Sequence, residues 1–189
     1  MKRIPALTWA VLISIVQIAV AQMPPAPKPG AEQKKLTYFV GQWKTEGEMK
    51  PGPMGPGGKY SSTDHNEMLP GGFFLVMHSA STTPMGSMRE TAIMGYDSDQ
   101  KVYTYDGFDS AGEHDISKGT LNGDTWVYTS DFKMGNQMTK GRFTMKEISP
   151  TEYTFKFEMS PDGNVWSSAL EGKSTKVAAP AASEKKASK

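Results

Sequence analysis

Three histidines carry the most versatile side chains in the sequence: His65, His78 and His114. His114 sits between Glu113 and Asp115, so a histidine–carboxylate acid–base pair is one chemistry open to it, if a shielded substrate lies alongside. A three-histidine metal site is a second, and it needs the three ring tips to converge from separate strands. Beyond these the catalytic vocabulary is sparse. The chain has no cysteine, no Gly-x-Ser-x-Gly nucleophile turn and no Gly-x-x-x-x-Gly-Lys phosphate loop. The glycines of residues 51–58 (PGPMGPGG) alternate with prolines and lead into a strand pattern, which makes them loop material. No residue is therefore assigned as catalytic, and neither a metal nor a cofactor is expected. Whether the protein is an enzyme stays open, and an enzyme would have to work through a histidine facing an enclosed space.

Methionine is the second unusual feature. Met54, Met85, Met88, Met134 and Met138 recur in three separate turn regions. Flexible thioethers suit an adaptable apolar portal, or simple gap-filling on loops, and soft sulfur ligands also suit copper(I). Which of these applies depends on whether the three turns meet in space, and so on the elements that hold them.

The ends of the chain bound the answer first. Lys2 and Arg3 precede an apolar stretch from Ala6 to Val20, followed by Ala19-Val20-Ala21. This is the order of a secretory signal, with cleavage expected after Ala21. The apolar stretch is shorter than the ~20 residues a spanning helix needs. A secreted or periplasmic protein without a membrane anchor is the expectation, and the lack of cysteine excludes both lipid attachment after cleavage and disulfides. Loss of Lys2 and Arg3 would leave one more anion than cation, so there is no electrostatic case for nucleic acid. Residues 22–30 (QMPPAPKPG) form a proline-rich linker. The small, polar residues 176–189 are expected to be a disordered tail. Residues 31–175 are left as one domain.

Within that domain the period changes once. Leu36, Phe39 and Val40 fall on one face of a short helix over residues 31–40. From there apolar and polar residues alternate: Trp43, Thr45, Gly47 and Met49 against Lys44, Glu46, Glu48 and Lys50, and again Tyr153, Phe155, Phe157 and Met159 against Thr154, Lys156 and Glu158. Turn signals at Pro70-Gly71-Gly72, residues 97–100, Asn122-Gly123, Ser149-Pro150 and Pro161-Asp162-Gly163 divide the interval. They predict strands at about 43–50, 59–69, 73–82, 88–96, 101–108, 113–121, 125–132, 137–148, 152–159 and 165–174. The fold class is all-β: about ten antiparallel strands joined by nearest-neighbour hairpins. Such a chain closes most simply into an up-and-down barrel, with the N-terminal helix capping one end through Leu36 and Phe39. In such a barrel odd-numbered connections share one end, so all the methionine-bearing turns should surround one mouth. Strand 73–82 is apolar on both faces at its start, which leaves an outward patch for a second copy of the chain or for the capping helix.

Several strands cannot present a purely apolar face in either phase, among them residues 59–69, where Asp64 and Asn66 alternate with His65 and Glu67, and 101–108, with Asp106 on one face and Tyr103 and Tyr105 on the other. Burying such a charge without a partner costs several kcal/mol, about 2–7 even for a neutral polar group, so a lumen holding water or a ligand with polar atoms is the simpler solution. The candidate lumen residues are Trp43, Tyr103, Tyr105, Trp126, Phe155, Phe157, His78 and His114.

Phe39-Val40-Gly41-Gln42-Trp43, followed by Thr45-Glu46-Gly47-Glu48, resembles the opening of lipocalins and their relatives. Pro70-Gly71-Gly72-Phe73-Phe74, Met94-Gly95-Tyr96-Asp97 with Lys101-Val102-Tyr103, and Pro161-Asp162-Gly163 follow in order. Together these look like the bacterial domain of unknown function family 1579. The resemblance implies a calycin-like barrel of the lipocalin and fatty-acid-binding kind, usually exported, and it implies no activity. Where that family often carries a tryptophan, this chain has Tyr105-Asp106-Gly107-Phe108, so a pocket using that aromatic differs here. The opening is also similar to that of haem-binding nitrobindin-like barrels, whose ligating histidine lies in a late strand; residues 137–174 contain none. Three functional classes remain: a barrel binding a small apolar or amphipathic ligand, a structural or partner-binding barrel, and an enzyme using a lumen histidine.

Overall fold

Period-two alternation produces ten antiparallel strands in a computed structural model that describes residues 26–177. They are β1 (Gly41–Met49), β2 (Gly58–Met68), β3 (Leu75–Thr83), β4 (Gly86–Asp97), β5 (Val102–Asp109), β6 (His114–Asn122), β7 (Thr125–Met134), β8 (Gln137–Ser149), β9 (Glu152–Ser160) and β10 (Ser167–Lys176). Each pairs with its sequence neighbours, and β1 also pairs with β10, from Trp43 opposite Lys176 to Met49 opposite Leu170. The result is a closed up-and-down barrel with no free edge. β10 runs past the expected boundary to Lys176, and the Val177 amide donates to the Gln42 carbonyl, so ordered pairing extends into the stretch expected as tail. The expected signal segment, residues 1–21, and residues 178–189 of the expected tail lie outside the described residues.

The segment before β1 folds as a short helix, α1 (Ala31–Lys35), continued by a 3-10 turn (Leu36–Phe39). It plugs one end of the barrel. Leu36 and Phe39 are fully buried, and the Phe39 ring meets Trp126 and Tyr153 edge-on at centroid distances of 5.3 and 5.7 Å. A helix this short has no stability of its own and is held by what it touches. The Trp43 indole donates to the Phe39 carbonyl at 2.7 Å, and the Asn66 amide donates to the same oxygen at 3.0 Å. The Tyr103 hydroxyl donates to Glu32 at 2.6 Å, and the Lys176 ammonium donates to the Tyr38 carbonyl at 3.1 Å while lying over the Trp43 ring. The Gly-x-Trp pair therefore has a mechanical reading. Gly41, at φ +121°, makes the sharp turn from plug to strand that a side chain would strain, and Trp43 fastens the plug it has just left.

Inside the wall, the close approach of aromatic rings requires missing side chains. The tip of the Phe155 ring presses on Gly47 and Gly172, which face each other across the β1–β10 seam, and Tyr128 covers Gly119. At the opposite end, Asp162 closes the β9–β10 connection. Its carboxylate accepts from the Asn164 amide at 2.8 Å and from the Ser160 hydroxyl, and these bonds hold it down at about 2. On the outer wall nearby, Glu158 bridges Arg142 and Lys156, and Arg142 lies 4.1 Å from the Trp166 ring centre.

The apolar start of strand 73–82 resolves differently from its alternation. Phe73 and Phe74 precede β3, and Phe74 lies half-exposed against Gly95 on the outside, where Ile93, Phe108 and Ile116 are also exposed. Phe39→Ala should cost about 3–5 kcal/mol by removing the plug's centre, and Gly172→Ala about 1–3 kcal/mol by driving a methyl group into the β1 backbone at Glu46 and Gly47 as well as the Phe155 ring. Urea denaturation of both variants against the parent measures these losses.

Candidate functional site

The plug fixes the parity of the whole barrel. Trp43 is held inward against Phe39, and cross-strand register carries that choice around the wall. Trp43 faces Asp64, Asp64 faces Ser79, Ser79 faces Glu90 and Glu90 faces Asp109. This inward row climbs from the plugged floor to the open rim, because barrel strands are tilted and staggered. Above the floor lies a cavity of about 830 Å³, open at the end opposite the plug.

Its lining has two halves. From β7 to β10 come Phe132, Phe143, Phe155, Phe157 and Leu170, with the Phe143 and Phe155 rings stacked at 5.8 Å. From β2 to β6 come Tyr60, Ser62, Asp64, Ser79, Glu90, Tyr105, Asp109 and Asp115. Asp64 accepts from the Ser62 hydroxyl at 3.1 Å and from Thr45 at 3.3 Å. Burial nevertheless outweighs these bonds and raises its carboxyl above the ordinary value. Glu90 is raised as well, first by burial and then by the negative charges of Asp115, Asp109 and Asp64. The Tyr105 hydroxyl donates to Glu90, and its own ionisation is pushed far up by burial and by that carboxylate. Tyr128 stands between the halves. It is only 4 % exposed, and its hydroxyl has no hydrogen-bond partner among the described residues.

The expected lumen residues divide into three groups. Tyr105, Phe155 and Phe157 line the cavity. Trp43, Tyr103 and Trp126 point inward but are packed into the floor, where the Trp126 indole donates to Glu147 at 2.7 Å. His78 does not face the lumen, and His114 borders it only at the rim. His78 is exposed on the outer wall, where it meets Thr91 at 3.1 Å, and His65 lies opposite it on the same wall. His114 sits outside near the rim, stacked on Phe108 at 4.4 Å and 3.5 Å from Asp106. Parity is the reason, since neighbours of inward residues must point out. His65 and His78 therefore stand on the outer wall, and His114 borders the cavity only at its exposed rim. Among the described residues no group of three or more histidine and acidic side chains is arranged to hold a metal ion.

The methionine-bearing turns do gather at one end. Met54, Met85 with Met88, and Met134 with Met138 flank the β1–β2, β3–β4 and β7–β8 connections, all on the open side. Met54 lines the cavity, Met85 packs on Gly55, and Met85 and Met138 are exposed. Sequence reasoning does not single out Glu90, Tyr60 or Tyr128, although the signal exists: once Trp43 is taken as inward, hairpin register alone brings Asp64 and Glu90 inward.

The raised carboxyls have a measurable consequence. A group that binds its proton more tightly when folded contributes stability below its unfolded value, and that contribution is lost as pH rises through the folded one. The empty barrel should therefore weaken as pH climbs from the ordinary values of 3.8 and 4.5 through the raised ones. Asp64→Asn with Glu90→Gln should raise the thermal midpoint at pH 7 and lose that advantage near pH 3, as followed by circular dichroism.

No curated protein matches the chain. Among solved structures, Rv2717c from M. tuberculosis is similar over 80 % of this chain and 100 % of its own, with a TM-score of 0.55 and 12 % sequence identity, a likeness of fold alone. Residues 28–176 match the family described as "Protein of unknown function (DUF1579)", and the chain belongs to that family.

Proposed function

We propose that the barrel binds a small amphipathic molecule in its lumen, reached through the methionine-flanked mouth. The observation that carries this reading is the cavity itself: about 830 Å³, open at one end, with an aromatic half facing a polar one. Specific small-molecule sites commonly occupy about 300–1,000 Å³ and combine apolar walls with a few fixed polar groups. A barrel that served only as a scaffold would gain by filling this space with side chains, because an unfilled lumen forfeits packing and leaves Asp64 and Glu90 poorly solvated. The thioethers of Met54, Met85, Met88, Met134 and Met138 fit a mouth that adapts to what passes through it. Action outside the cytoplasm is part of the proposal, supported by the charged, apolar and small-residue order of residues 1–21.

Native mass spectrometry of the protein purified without detergent should reveal a bound small molecule, and the emptied barrel should take up the neutral fluorescent probe N-phenyl-1-naphthylamine. Ser130→Trp, which projects an indole into the cavity, should weaken probe binding about tenfold or more while the far-ultraviolet spectrum stays that of the parent. An emptied, folded barrel that takes up no probe would remove the reading.

A further inference from the structure

Charge in the cavity is one-sided. Asp64, Glu90, Asp109, Glu113, Asp115 and Asp131 all border it, and Lys133 is the only lysine or arginine that does so among the described residues. Asp131 is held by Lys140 at 3.1 Å on the outer side. Among the described residues the remaining five have no cationic partner within ion-pair distance, and Asp109, Glu90 and Asp64 lie along the one row that descends from rim to floor. Like charges gathered around a partly dehydrated space repel one another and are poorly solvated. A cation entering that space relieves both costs, whereas a fatty carboxylate would add to them.

The aromatic half defines the rest of the ligand. Tyr60 and Tyr105 line the cavity with the carboxylates, the Tyr105 hydroxyl donating to Glu90, and aromatic rings are sites at which a cation is favoured. Phe143, Phe155, Phe157 and Leu170, across the lumen, offer only apolar surface. Tyr128 supplies an independent sign of an absent partner: a phenol 4 % exposed, bordering the cavity, whose hydroxyl meets no protein donor or acceptor. Buried hydroxyls are ordinarily satisfied, so a polar atom belongs opposite it.

Resting on the binding reading above, we propose that the ligand is an organic cation: a protonated amine carrying an apolar or aromatic body, its ammonium held by Glu90 and Asp64 and its body lying against Phe143, Phe155 and Phe157. The carboxylate row draws the ammonium inward from the mouth. The apolar wall excludes small hydrated cations, which have nothing to place there. Asp109, Asp115 and Glu113 surround the path at the rim, and Lys133 and His114 are the basic groups that face it.

Three probes of equal chain length separate the alternatives. Decylamine, decanol and decanoate, each below its aggregation concentration at pH 7, compete with N-phenyl-1-naphthylamine for the emptied protein. Decylamine should bind about tenfold or more tighter than decanol, and decanoate weakest. Glu90→Gln and Asp64→Asn should each reduce the amine's advantage over decanol about tenfold, with the far-ultraviolet spectrum of the parent showing that the variant barrel is intact. Should either variant fail to fold, Asp109→Asn at the rim provides the same comparison with a smaller loss. Decanol or decanoate binding as tightly as the amine, or an amine preference untouched by the variants, overturns this assignment and leaves the binding reading standing. If none of the three displaces the bound probe, the assignment falls while the binding reading stands; a folded, emptied barrel that takes up no probe removes both.

Discussion

The pairing of the first strand with the last is the constraint on which the rest of the molecule depends. Between Trp43–Lys176 and Met49–Leu170 the sheet closes on itself, and every strand acquires two neighbours. Closure divides each strand into an inner and an outer set of side chains, because a two-residue period admits nothing else. It also brings Gly47 and Gly172 together, leaving room for Phe155. The plug is then seated by residues on both sides of that seam. Trp43 holds the Phe39 carbonyl from β1, and Lys176 holds the Tyr38 carbonyl from β10. One end of the lumen is thereby filled with aromatic rings, and the other is left open.

Packing and open space are distributed unevenly along the barrel axis. The floor contains the best-packed side chains: Leu36, Phe39, Trp43, Leu75, Met94 and Trp126 are essentially inaccessible. Their polar atoms are answered, Trp43 by a carbonyl and Trp126 by Glu147. Higher up, packing gives way to space, and polar groups are answered incompletely. Asp64 keeps its hydroxyl donors yet is still raised by burial, and Tyr128 has no partner. A chain selected only for a stable barrel has no use for such an arrangement, since each poorly solvated carboxylate and each void subtracts from a small net stability. Part of that cost falls beside the cavity, at Asp64, Glu90 and Tyr128, and part falls elsewhere, at the buried Asn66 Oδ1 of the floor.

The outer wall is a different surface. His65 and His78 face each other across β2 and β3, and Phe108 and His114 stack across β5 and β6. Farther round, Glu158 joins Arg142 and Lys156 beneath Trp166 and ties the β9–β10 connection to the wall. These contacts brace the sheet from outside, so of the histidines, the most obvious chemical candidates in the sequence, His65 and His78 stand apart from the lumen and His114 meets it only at the rim.

Much was legible from the sequence alone because it depends on local pattern. Alternation and turn residues place ten strands within about two residues of their observed bounds, the short apolar face of residues 31–40 marks the plug, and counting hairpins puts the methionine turns at one mouth. Parity on mixed strands was not legible. In β6 neither Asp115 with Ser117 nor His114 with Ile116 is apolar enough to declare itself inward, and the same ambiguity covers Asp64 and His65 in β2. A one-residue shift in register exchanges the two faces, and only a fixed point can choose between them. That fixed point is Trp43 locked against Phe39, a tertiary contact. It turned the carboxylates toward the lumen and the histidines toward solvent, and so decided that the charge inside the barrel is negative.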